Sequence, residues 1–302
     1  MGRRRYRPGG HEDGPCLGPL RRRELPHPRH TIRHLQDVTV AAYEYLRVER
    51  EDGVATVALN RPDARNSLNA GLIEEITRSM EGMVQDAGVR AVILTGEGDF
   101  FCAGADIGYM RDTANFSYED NLEDARRLAA MFGAVDECPK PVLARIKGAA
   151  IDGGVGLAAA ADVVVVEEGT VFAFSEVRLG ISPATIAPFV MRKIGHSQTR
   201  ALFLTGERFD AAQAQEIGLV HKVAERGDLD ETVRKKVEGL LAGGPEALAT
   251  TKALLRELGD AAPGEAPKIT ARRIAELRAG EEGQEGLGAF LEKRKPRWVE
   301  ER

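Results

Sequence analysis

Two stretches of small residues stand out as places where backbone groups, rather than side chains, could do chemistry. Phe100-Phe101-Cys102-Ala103-Gly104-Ala105-Asp106-Ile107 and Ile151-Asp152-Gly153-Gly154-Val155-Gly156 each follow an apolar, strand-like run. Glycine and alanine at a strand-to-helix turn leave N–H groups that a ligand can approach closely. Two such turns facing each other would form an oxyanion hole, which stabilises negative charge developing on a carbonyl oxygen. Tight packing of a helix on a sheet asks for the same small residues, so each turn taken alone carries both readings. Neither turn follows GxxxxGK(S/T) or GxGxxG, which argues against a phosphate loop or a dinucleotide fingerprint. Reactive side chains are few. Cys102 has no evident base partner, and His196 and His221 fall in the helical part of the chain, away from both turns. The three cysteines, Cys16, Cys102 and Cys138, have no metal-ligand spacing, so neither a metal site nor a disulfide framework is expected.

The elements that must hold these turns are legible from periodicity. Leu46 to Glu49 and Val54 to Leu59 read as two strands joined at Asp52-Gly53, a strong hairpin signal. Leu72, Ile73, Ile76, Met80 and Met83 mark one helix face, and Ala91 to Leu94 a buried strand. Leu122, Ala125, Leu128, Ala129, Phe132 and Val135 recur at three- and four-residue steps in a long helix. Val142 to Ile146 and Asp162 to Val166 are further apolar strands, with an Ala-rich helix between them after the second glycine-rich turn. Beyond about residue 185 strands nearly stop, and helices are predicted over 186–194, 197–205, 211–217, 230–242, 245–258, 265–279 and 283–294. The fold class is therefore α/β, with repeated strand-strand-helix units and a helical C-terminal region. The expected organisation is an extension over 1–42, a core over 43–245 and helices over 246–302.

Composition limits the alternatives. The chain has 302 residues, 43% apolar, and a formal net charge of −5; this suffices for a full core and excludes a disordered acidic or basic chain. Apolar runs such as Leu157 to Val166 fall well short of the roughly 20 residues of a membrane span, so no membrane partner is expected and the cytoplasm is the default location. Residues 1–42 carry nine Arg, four acidic residues, five Pro and five Gly. The Arg runs at Arg3 to Arg5 and Arg21 to Arg23 have almost no interleaved aromatics, which speaks against nucleic-acid binding. A disordered extension or a misplaced start codon is expected there; a targeting segment, which Glu12, Asp13 and Glu24 suit poorly, and nucleic-acid binding are the alternatives.

Six segments in order carry a family resemblance: Asn60-Arg61-Pro62 with Asn66-Ser67-Leu68; Phe101 to Ile107; Lys140-Pro141-Val142; Lys147-Gly148-Ala149 to Gly156; Phe174-Ser175-Glu176-Val177-Arg178-Leu179-Gly180-Ile181-Ser182-Pro183; and Phe290-Leu291-Glu292-Lys293-Arg294. From about residue 44 to 298 the chain resembles the crotonase family of enoyl-CoA hydratases and isomerases. The resemblance implies a spiral of ββα units, a helical C-terminal region, and homotrimers or homohexamers acting on acyl-CoA thioesters. It implies no separate cofactor, because the substrate carries coenzyme A. It places the oxyanion-hole amides at Ala105 and Gly153, on the two turns already singled out. It assigns CoA contacts to Ala64, Arg65 and Asn66, to Ala103, Asp106, Ile107 and Gly108, and, across a subunit interface, to Phe290 and Lys293. A core aromatic and a solvated lysine are the competing readings for the last two.

The acid–base residues depart from the hydratase pattern. Typical hydratases carry two glutamates; here the first position is Gly156, and only the second, Glu176, is present. Glu176 is therefore the expected acid/base, its pKa raised by Phe172, Phe174 and Val177. Read as a strand, Glu176-Val177-Arg178 puts both charged side chains on one face, where Arg178 binds a substrate carboxylate or pairs with an acidic neighbour. Asp152 is not expected to act directly, since a carboxylate aimed into an oxyanion hole opposes the charge forming there. The motif is most similar to bacterial members of methylglutaconyl-CoA-hydratase type. Hydration of a short or branched 2-enoyl-CoA leads; the alternatives are a delta-isomerase using the same glutamate and a catalytically impaired acyl-CoA-binding homologue.

Overall fold

Asp52 and Gly53 both adopt positive φ, +47° and +79°, the geometry that a tight two-residue hairpin needs. They join β1 (Leu46–Glu51) to β2 (Val54–Leu59) in antiparallel register, Glu51 opposite Val54. A computed structural model describes residues 43–300; the extension expected over 1–42 lies outside the described residues. After β2 come α1 (Ala70–Gln85), β3 (Ala91–Gly96), α2 (Ile107–Thr113), α3 (Tyr118–Glu137), β4 (Val142–Ile146), β5 (Ala149–Ile151), α4 (Gly153–Ala160), β6 (Val163–Glu167) and β7 (Val171–Ala173). The rest of the chain forms α5 (Ala187–Thr205), β8 (Arg208–Asp210), α6 (Ala211–Glu216), β9 (Lys222–Ala224), α7 (Leu229–Ala242), α8 (Pro245–Asp260), α9 (Ala266–Ala279), α10 (Glu281–Glu292) and α11 (Arg297–Glu300).

The main sheet runs β1-β2-β3-β4-β6-β9, parallel except for the hairpin, and a second sheet runs β5-β7-β8. A parallel sheet must be covered on both faces, and two apolar clusters do so. On one face lie Leu72, Ile76, Met80 and Met83 of α1, Met131, Phe132 and Val135 of α3, and α4. On the other, Leu229, Val233, Val237 and Leu241 of α7 pack on Ala91, Leu143 and Val165. α1 starts where Asn69 caps it by accepting the Leu72 N–H at 2.8 Å, and α3 starts in a Ser117/Asp120 capping box.

Several expectations need correction. Glu176-Val177-Arg178 is not a strand: Glu176–Leu179 is a 3-10 turn, so the common-face argument for Glu176 and Arg178 fails, and Arg178 is exposed. The strand β7 ends at Ala173. Ser175 then leaves the extended region (φ −92°, ψ −3°), and the turn closes with Arg178 N–H donating to Ser175 O at 2.9 Å. Gly180, at φ +76°, ends it. The three-residue strands β5, β7, β8 and β9 and the short α2 are additions to the predicted elements. Gly195 (φ +75°) breaks α5 where the periodicity separates two helices.

Candidate active site

The two glycine-rich turns are tied together by backbone bonds. Cys102 N–H donates to Ala149 O at 3.1 Å, and Ile151 N–H donates back to Cys102 O at 2.9 Å. The first turn is anchored in parallel fashion: Leu68 N–H donates to Gly104 O (2.8 Å) and Asp106 N–H to Leu68 O (2.9 Å). In that arrangement the N–H of Ala105 points away from Leu68, and it has no acceptor among the described residues. Gly153 opens α4, and its N–H likewise has no acceptor among the described residues; first-turn amides have no intrahelical partner. The positive end of α4 adds to their pull on negative charge. Gly154 has a packing reason as well, since a Cβ there would fall 2.7 Å from Cys102 O.

Glu176 follows Ser175, which binds Asp152, the residue before Gly153. It is half-buried next to the fully buried Phe174, and its Oε2 is buried with no hydrogen-bond partner among the described residues. Burial, followed by the negative charge of Asp152, raises its pKa to about 8. Asp152 immediately precedes Gly153, yet among the described residues its carboxylate accepts neither amide. Its oxygens accept the Ser175 N–H at 2.6 Å and the Ser175 hydroxyl at 2.9 Å. Asp152 also has a backbone that L-residues rarely adopt, φ +50° and ψ −112°.

The place of a second glutamate is filled. A Cβ on Gly156 would lie 2.8 Å from Phe132 Cε1 and closer still to Ile186 Cγ2. α3 and the residue capping α5 thus close an apolar wall over this face of α4.

The residues expected to hold CoA divide by how far they are already engaged. Arg65 and Asn66 have φ of +52° and +55°. The exposed Arg65 guanidinium stacks 5.3 Å from the Phe100 ring centre, and Arg65 O accepts from Ala103 N–H. Ala64 N–H donates to Arg61 O. The side chain of Asn66 is committed to the fold: it is fully buried, accepts the Arg61 N–H and donates to Glu97 O and Phe100 O at 2.7–2.8 Å. Asp106 is committed too, capping α2 through the Gly108 and Tyr109 N–H groups and pairing with Arg61 at 2.9 Å. Burial works against its charge, yet those N–H bonds and Arg61 hold its carboxyl below the usual carboxylate range. Ile107 is 70% exposed. Phe290 and Lys293 lie at the end of α10, which packs on α8 and α9; Phe290 is 78% exposed, so it is not a core aromatic.

The remaining reactive groups have structural places. Burial pushes the Cys102 thiol up to about 12. His221 Nδ1 accepts the Val164 N–H at 2.9 Å. Among the described residues no cluster of His, Cys, Asp and Glu could hold a metal ion, and no helix is long and apolar enough to cross a membrane. Sequence reasoning places Phe132 only on a helix face and passes over Ile186 and Ser175. The signal for the wall is Gly156 itself, a glycine inside an apolar helix, which marks close approach by a neighbour.

Comparison with known proteins gives the same assignment. The enoyl-CoA hydratase/isomerase family model matches residues 49–301, and the chain belongs to that family. It is 36% identical over 264 residues to an enoyl-CoA hydratase of Alternaria alternata, covering 85% of this chain and 84% of that one. It is 33% identical over 260 residues to a crotonyl-CoA hydratase of Syntrophomonas wolfei, covering 85% and 99%. An enoyl-CoA hydratase structure from Shewanella pealeana superposes with a TM-score of 0.82 at 38% identity, over 84% of this chain and 96% of that one. The fold is the crotonase fold, and the protein is an enzyme of the enoyl-CoA hydratase/isomerase family.

Proposed function

We propose that the protein adds water across the 2,3 double bond of a short or branched 2-enoyl-CoA, with Ala105 and Gly153 as the oxyanion hole and Glu176 as the single acid/base. One observation carries the reading: two backbone N–H groups without acceptors among the described residues, on turns bonded to each other, with the second turn bonded through Asp152 and Ser175 to the segment that carries one desolvated carboxyl. The thioester oxygen accepts both N–H bonds, which draws electron density from C3. Water oxygen then bonds to C3 while one oxygen of Glu176 takes a water proton and the other gives a proton to C2; the carboxyl ends as it began. A pKa of about 8 suits it to both transfers near neutral pH.

The filled space at Gly156 favours one second reading. A delta-isomerase needs a single base to carry a proton between allylic carbons, and an apolar wall in place of a second carboxylate suits that reaction. Purified protein is to be incubated with crotonyl-CoA, 3-methylglutaconyl-CoA and a 3-enoyl-CoA, following the conjugated-thioester absorbance. Loss with the first two at roughly 1–1000 per second is the expected result. A gain with the 3-enoyl substrate and slow loss with the others would establish the isomerase instead. The Arg65 guanidinium and the backbone of Ala103 to Gly108 would hold the CoA arm. The assembly would be a homotrimer or homohexamer, covering Leu287, Phe290 and Leu291 of α10, which are 50–78% exposed.

A further inference from the structure

Asp152 is costly where it stands. A non-glycine residue at φ +50°, ψ −112° is held in a strained backbone only when its surroundings insist on it, and such outliers gather at working sites. The insistence comes from Ser175, whose N–H and hydroxyl bind the Asp152 carboxylate at 2.6 and 2.9 Å. The next residue in the chain is Glu176, whose Oε2 is buried and unpartnered among the described residues. The charge of Asp152 acts on Glu176, and the two carboxyls are not equivalent. Asp152 receives donors that suit an anion, whereas Glu176 Oε2 receives none. Two adjacent carboxyls cannot both ionise cheaply, so the proton belongs on Glu176.

We propose that Asp152 is a positioning residue: its Ser175-anchored carboxylate keeps the proton on Glu176 and aims that carboxyl beside Gly153. Asp152 thereby acts through Ser175 and Glu176, where the wall of Phe132 and Ile186 leaves no room for a second glutamate at Gly156. The proposal rests on Glu176 being the acid/base. The raised pKa of Glu176, second to burial in its causes, reflects the Asp152 charge. Other charges on elements packed here are engaged elsewhere or exposed. Cys102 stays a neutral thiol below about 12. On α5, Arg192 pairs with Asp136 and Lys193 donates to Ala161 O, while His196 and Arg200 are exposed. Arg178, Glu207, Arg208 and Asp210 are exposed.

The test uses the full chain labelled with carboxyl-13C glutamate. Glu176 is assigned by the signal lost in Glu176→Gln, and its midpoint is read by NMR in wild type, Asp152→Asn and Asp152→Gly. Asparagine keeps the size and the acceptor for the Ser175 N–H, whereas glycine relieves the positive φ, so the two variants perturb the fold in different ways. Both should lower the Glu176 midpoint by at least one pH unit. The matching limb of the kcat/KM pH profile should move by the same amount. A midpoint that stays within about 0.3 unit in the folded variants would overturn the proposal. A midpoint that falls while the rate profile stays put would support control of the proton by Asp152 and remove Glu176 from the reaction, which separates this inference from the proposed function.

Discussion

Glu176 makes its clearest statements when its carboxyl is removed without changing its size. Glu176→Gln should cost at least about 100-fold in kcat, the lower end of a positioned acid–base contribution, with CoA-ester affinity little changed; steady-state kinetics and a binding isotherm check this. The same variant has a stability signature. A carboxyl whose pKa is raised in the folded protein, from 4.5 to about 8, contributes stability that is complete below its unfolded pKa and lost as pH rises through the folded one. Glutamine does not titrate. Between pH 5 and 8.5 the urea midpoint of Glu176→Gln should therefore rise relative to wild type, and a constant difference would show a solvated carboxyl. The candidacy of Glu176 was legible from motif order. Its raised pKa followed from the neighbouring aromatics, but the part played by Asp152 did not, because residues 24 apart meet only through the fold.

At the scale of elements, the contact of α4 with α3 and α5 decides which chemistry the site can house. An extra side chain at Gly156 has to displace Ile186 or Phe132, and overpacking a core costs about 1–3 kcal/mol. Gly156→Ala should thus lower the melting temperature by several degrees. Adding Ile186→Ala should return much of the loss, a coupling visible in a double-mutant thermal cycle. Gly156→Glu should not raise hydration of crotonyl-CoA, because its carboxyl has no cavity to enter. The element reading of the sequence succeeds for the long amphipathic helices α1 and α3 and the apolar strands β3, β4 and β6. It fails at 176–178, where the charged tripeptide is compatible with a strand until Ser175 is captured by Asp152.

For the whole molecule, the described residues form one compact unit, and α7 closes the face of the main sheet opposite α1 and α3. Residues 1–42 carry no periodic apolar face in their sequence, so deleting them should leave the melting temperature within a few degrees and turnover intact. On α10, Leu287, Phe290 and Leu291 recur at three- and four-residue steps and stand exposed. If the proposed trimer or hexamer forms through this face, Phe290→Glu with Leu291→Glu should reduce the mass found by light scattering towards that of a monomer. The sequence by itself determined the family, the α/β class, the two glycine-rich turns and the single glutamate, because periodicity, turn chemistry and motif order are properties of contiguous residues. Only the tertiary structure decided that two amides lack acceptors among the described residues, that Asp152 binds Ser175, that Phe132 and Ile186 occupy the space at Gly156, and that three-residue strands pair. Each of these depends on partners distant in the chain, and a segment of three residues is too short to show a period.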